Sequence, residues 1–224
     1  MIMRVYRIRK RQDSIAAIKA AVVVLRQGGI IAFPTETVYG LGCDATSAVA
    51  ARRVYHMKQR ERNKTLQLIA GSLAQVKAVS KLGYWERMLV SRYWPGPLTL
   101  LVSVRPEAHV SSFAIQDGRI GIRVTSDPFL QKLLRVYGKP IAATSANRSG
   151  ETPARSGREV MKIFQARTGP DLLIDMGRLL KRQPSTVAST DSSGRVSVLR
   201  QGSLRLPKRV SSEEKKTRRR GRIS

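Results

Sequence analysis

Gly28-Gly29-Ile30-Ile31-Ala32-Phe33-Pro34-Thr35-Glu36-Thr37-Val38-Tyr39-Gly40-Leu41-Gly42 is the stretch that decides the fold of this chain. Residues 30–33 form a short, unbroken apolar run, which reads as a strand buried on both faces. Upstream, Gly28-Gly29 ends a helix. Asp13 or Ser14 caps that helix, and Ile15, Ile18, Val22 and Leu25 repeat along it at the helical period. Downstream, Pro34 closes the strand and opens a polar loop, TETVYGLG.

The same alternation continues along the chain. A helix over 47–57 leaves through Lys58-Gln59-Arg60, and 66–70 is a strand. Helices follow near 72–79 and 84–93, and β-rich runs at 98–104 and 120–124. A helix near 127–137 leads to a strand at 140–143 and the loop TSANRSG. A helix near 157–166 and strands near 172–174, 186–189 and 195–199 complete the series. Alternating elements predict a single α/β domain with a twisted mixed sheet, here 1–205. The remainder, 206–224, is basic and poor in apolar residues, the composition of a disordered tail.

Among 224 residues, 42 Lys and Arg face 15 Asp and Glu, a net charge of +27. Residues 201–224 carry nine basic and two acidic side chains, so the body 1–200 holds +20 by itself. Such a surface attracts polyanions, and RNA or DNA contact is the expectation it raises. One cysteine, Cys43, excludes an internal disulfide and a cysteine-rich metal site, and fits a reducing, cytoplasmic compartment. No apolar run is long enough to span a membrane.

Gly40-Leu41-Gly42-Cys43-Asp44-Ala45 matches GxGxxA but stands too far from its strand for a dinucleotide turn, so glycines that allow a crowded turn are the better account. With no GxxxxGK[ST] loop, phosphates would be held by basic side chains, and Lys58, Arg60, Arg123 and Arg200 are the candidates. Thr35, Thr37 and Tyr39 leave one buried strand, while Thr144, Ser145, Asn147 and Ser149 leave another. These groups suit either a small polar ligand at one rim of the sheet or ordinary turn chemistry. His56 and His109 are the chain's two histidines, and no spacing gives a nucleophile with a base or a zinc set.

In order, FPTETVYGLGCDA, KQRERNKTLQLIA, RYWPGPLTLL, IGIRVTSDPF, GKPIAATSANRSG, PSTVAS and VLRQG resemble the YrdC-like threonylcarbamoyl-AMP synthases over about 13–203. The resemblance implies one concave α/β domain with a basic groove. It places ATP on Lys58, Arg60, Ser145, Asn147 and Arg200, and threonine on Thr35, Arg123, Thr144 and Ser185. It names Lys58, Arg60, Ser145 and Asn147 as the catalytic set. It also implies bicarbonate as third substrate, Mg²⁺ accompanying ATP, no protein metal site, a tRNA acceptor and a downstream transferase complex. Glu61, Gln67 and Ala70 depart from residues common in the family. The alternative is a YrdC-like RNA-binding protein without synthase activity, which the charge alone would equally serve.

Overall fold

The computed structural model describes residues 3–164 and 169–211. The chain begins with β1 (Arg4–Arg7), α1 (Arg11–Arg26), β2 (Ile31–Pro34), β3 (Tyr39–Asp44), α2 (Ala48–Lys58) and β4 (Gln67–Ala70). It continues through α3 (Leu73–Val79), β5 (Ser80–Lys81), α4 (Tyr84–Tyr93), β6 (Leu98–Val104), β7 (Ile115–Gln116) and β8 (Arg119–Val124). It closes with α5 (Pro128–Tyr137), β9 (Ile141–Ser145), α6 (Gly157–Ile163), β10 (Leu172–Asp175), β11 (Thr186–Thr190) and β12 (Val196–Arg200). One mixed sheet runs β1-β10-β2-β3-β9-β4-β8-β6-β11-β12, with β5 and β7 paired at its side.

Alternation along the strands explains why both faces are covered. Ile31 and Phe33 pack with α1 and α5, while Ile30 and Ala32 face the cluster that contains Val54, Leu89 and Val160. Leu172 and Ile174 likewise oppose Leu173. A sheet sandwiched this way needs continuous apolar strands, which is what residues 30–33 supply. Ser47 accepts from the Ala50 N–H at 3.1 Å to start α2, and Asp127 accepts from the Leu130 N–H at 2.8 Å to start α5.

Two local expectations are corrected. Helix α1 begins at Arg11, and Asp13 is its third residue, with a carboxylate accepting from the Arg9 and Lys10 N–H groups at 2.9 and 2.8 Å. The polar stretch TETVYGLG is a loop only across 35–38; Tyr39 onward is β3, antiparallel to both β2 and β9. Its glycines make room for a ring. A Cβ on Gly42 would stand 2.7 Å from Phe33 Cε1 and 2.9 Å from Ile141 Cδ1. The polar edge strand β1 was not foreseen, because RVYR carries no hydropathy signal.

Residues 206–211 join the body. Val210 is buried, and the Val196 N–H donates to the Lys208 carbonyl at 2.9 Å. The remaining tail expectation, 212–224, lies outside the described residues.

Candidate active site

Strand β3 is antiparallel to β2 and to β9, so β2 and β9 run the same way and their C-terminal ends share a rim. Thr35 follows β2, and Thr144 and Ser145 end β9. Thr35 Oγ1 donates to the Val38 carbonyl at 2.7 Å and accepts from the Thr37 N–H at 3.1 Å, which holds the turn in shape. Strand β8 supplies Arg123. Ile120, Ile122 and Val124 point to one core, so the period of two sends Arg123 to the opposite face.

These residues surround a cavity of about 590 Å³. Thr35, Arg60, Arg123, Thr144, Ser145, Ser185 and Arg200 all line it, so seven of the nine sequence candidates are brought together. Arg155, Lys181 and Arg182 also line it; sequence reasoning missed them, because in an arginine-rich chain nothing marks one basic residue from the next. Among the described residues the wall therefore carries six cations and no carboxylate. Its volume suits a nucleotide-sized ligand and its charge suits a polyanion. Arg200 donates to the Ser185 carbonyl at 3.0 Å and to Ser185 Oγ at 3.1 Å, while Ser185 Oγ meets Thr99 Oγ1 at 3.1 Å. Arg60 donates to the carbonyls of Lys64 and Thr65 at 2.7 and 2.9 Å and so fixes the loop after α2.

Lys58 and Asn147 are placed differently. Neither is among the lining residues, and both are buried, Lys58 at 1% exposure. The Lys58 ammonium donates to the Ser145 carbonyl, to the Asn147 carbonyl at 2.6 Å and to Asn147 Oδ1 at 3.1 Å. These three contacts match its three N–H donors. Asn147 Oδ1 also accepts from Ser145 Oγ at 2.6 Å, and its amide donates to the Arg148 and Glu151 carbonyls. Together they fasten the loop that presents Ser145. Burial, with Arg60 adding repulsion, pushes the Lys58 pKa down to about 7.

Residues 23–202 match the Sua5/YciO/YrdC family, described as "Telomere recombination". The chain belongs to this family. A curated relative, "Threonylcarbamoyl-AMP synthase" of Klebsiella pneumoniae subsp. pneumoniae, is 40% identical over 151 residues, covering 66% of this chain and 79% of the relative. Among solved structures, P. abyssi Sua5 complexed with L-threonine superposes with a TM-score of 0.78 at 30% identity. That match covers 90% of this chain, which spans 58% of the length of the P. abyssi chain. E. coli YciO superposes with a TM-score of 0.76 at 27% identity, covering 90% of this chain and 96% of its own.

Of the three departing positions named from the sequence, Gln67 is the one at this site. Gln67 lines the cavity, Ala70 is buried in the core, and Glu61 is an exposed residue paired with Lys64 at 3.1 Å. Glu36, at the hairpin tip, was not singled out from sequence. Its carboxylate forms an ion pair with Arg123 and accepts from Thr125 Oγ1 at 2.9 Å. Burial, with Arg200 nearby, pulls the Arg123 pKa down to about 10. Cys43 is buried and burial pushes its thiol up to about 12, which leaves it inert as a nucleophile. Among the described residues no group of three or more His, Cys, Asp or Glu could hold a metal, and no helix is long and apolar enough to cross a membrane.

Proposed function

We propose that the chain is an L-threonylcarbamoyladenylate synthase, forming threonylcarbamoyl-AMP and pyrophosphate from threonine, bicarbonate or CO₂, and ATP. The observation that carries this reading is the cavity wall, where six cations and several hydroxyls meet with no carboxylate. The 40% identical relative bears that activity in its name, and a structural neighbour binds L-threonine. The threonine amine attacks CO₂ and loses a proton, giving a carbamate. A carbamate oxygen then attacks the α-phosphorus of ATP, and the bond from that phosphorus to the bridging oxygen breaks as pyrophosphate leaves. No covalent enzyme intermediate is needed, so the buried, protonated Cys43 is no obstacle.

In this reading Arg60, Ser145 and Arg200 contact ATP, and Thr35, Arg123, Thr144 and Ser185 contact threonine. Lys58 and Asn147 belong to the ATP side through the loop they hold. Rate enhancement comes from positioning and from cations that neutralise charge on the phosphates. Mg²⁺ enters as part of the nucleotide substrate. The wall offers it hydroxyls and no carboxylate, a donor set that fits a metal held by phosphate oxygens and water. The strap 176–185 contributes Lys181 and Arg182 beside the ligands. Tyr39 anchors one end by donating to the Gly177 carbonyl at 2.8 Å; at the other, the Ser203 N–H donates to the Pro184 carbonyl at 3.0 Å. A tRNA acceptor, a downstream transferase complex and a cytoplasmic setting complete the proposal, with the +27 charge supporting RNA contact.

The test is product detection. Carbon-13 bicarbonate supplied with ATP and threonine should yield an acid-labile adenylate one mass unit heavier than the unlabelled product. An unlabelled product, or none, would overturn the proposal.

A further inference from the structure

Most ion pairs among the described residues lie at the surface: Arg53–Asp171 and Lys139–Asp44 leave their cations 46% and 41% exposed. The pair between Arg123 and Glu36 does not. Both side chains are under a tenth exposed, at 7% and 9%. Arg123 faces the main cavity, so an anion arriving there meets a guanidinium that already has a carboxylate beside it. Glu36 is held there by one hydroxyl, Thr125 Oγ1, in addition to the ion pair.

Glu36 also has somewhere to go. It lines a second cavity of about 470 Å³ together with Ser126, Gln183 and Ser203. Arg182 lines both cavities, so a cation borders the space on either side. A buried ion pair is poor evidence of a stabilising role, since apolar residues of similar volume often serve as well. Two carboxylates crowded onto one desolvated guanidinium repel each other.

We propose that Glu36 is an internal counter-ion of Arg123, displaced toward the second cavity when the amino-acid carboxylate binds, and that it thereby sets the affinity for threonine. The proposal rests on the synthase reading, in which Arg123 takes that carboxylate. Glu36 is a positioning residue, acting through Arg123. It keeps the buried cation neutralised in the empty site and must yield to the substrate.

The experiment is calorimetric titration of L-threonine into wild type and Glu36→Gln at saturating ATP. With the competing charge gone, threonine should bind about tenfold more tightly in Glu36→Gln. The threonine KM should fall while the ATP KM stays the same, a split that a merely structural role would not produce. Thr125→Val, which removes the hydroxyl holding Glu36, should shift affinity the same way by a smaller factor, and it decides the matter if Glu36→Gln fails to fold. Unchanged or weaker threonine binding in the folded variants overturns the counter-ion role while leaving the synthase reading intact. Absence of threonine binding in wild type overturns both.

Discussion

At the scale of single residues, the difference between lining a site and building it separates the two halves of the family's polar set. Arg60 and Ser145 reach the cavity, whereas Lys58 and Asn147 tie down the loop behind Ser145. Sequence could place Lys58 at the end of a helix but not show which way its ammonium points, because that depends on carbonyls 87 and 89 residues away. Its buried position has a pH consequence. Unfolded, Lys58 titrates near its ordinary value of 10.5; folded, it titrates at about 7. Between those values the unfolded chain holds the extra proton, so stability rises with pH, by about 1 kcal/mol per pH unit from this residue. Below pH 7 both states are protonated and the residue adds no slope. Denaturant midpoints of wild type and Lys58→Met at pH 7 and 9 test this: wild type should gain on the variant with rising pH. Parallel behaviour would refute the buried lysine.

At the scale of elements, the strands were legible because their signal is local. Residues 30–33 announce themselves by an apolar run, 66–70 and 120–124 by short β-rich stretches, and Ser47 and Asp127 mark the helix starts. Strand β3 was hidden, since Gly40 and Gly42 look like turn residues until Phe33 is seen against them. Gly42→Ala should therefore destabilise the fold by about 1–3 kcal/mol through overpacking, read from a chemical denaturation curve. Phe33→Leu in the same chain should recover part of the loss. Gly202 carries a different constraint. A Cβ there would lie 2.2 Å from the Pro184 carbonyl oxygen and 2.4 Å from the Ser185 carbonyl carbon, backbone atoms that have no rotamer to adopt. Gly202→Ala should displace the strap beside Ser185 and weaken ATP and threonine binding together, as equilibrium titrations would show. Normal affinities would mean the strap is irrelevant to the site.

At the scale of the whole molecule, charge was the plainest sequence feature and the least specific. Among the described residues the cavity concentrates six of the 42 basic side chains, five Arg and one Lys, and no count of basic residues foretells which six. Of those, Arg123 carried a readable mark, a lone cation within the alternating strand IGIRV, whereas Arg155, Lys181 and Arg182 come from segments with no periodicity. On the proposed RNA contact, the excess charge predicts an affinity that depends strongly on salt. Binding to a tRNA anticodon stem-loop should weaken roughly tenfold or more between about 50 and about 200 mM salt, as fluorescence anisotropy would record. Salt-independent binding would contradict a phosphate-driven contact.

On the synthase reading, this cavity adenylates a carbamate of threonine. The most direct measurement is pyrophosphate release from ATP, assayed with threonine and bicarbonate each supplied or withheld, in wild type, Arg60→Ala and Arg123→Ala. Release should require both co-substrates, with Arg60→Ala impaired chiefly toward ATP and Arg123→Ala chiefly toward threonine. Release that ignores threonine, or no release from protein that binds all three substrates, would contradict it.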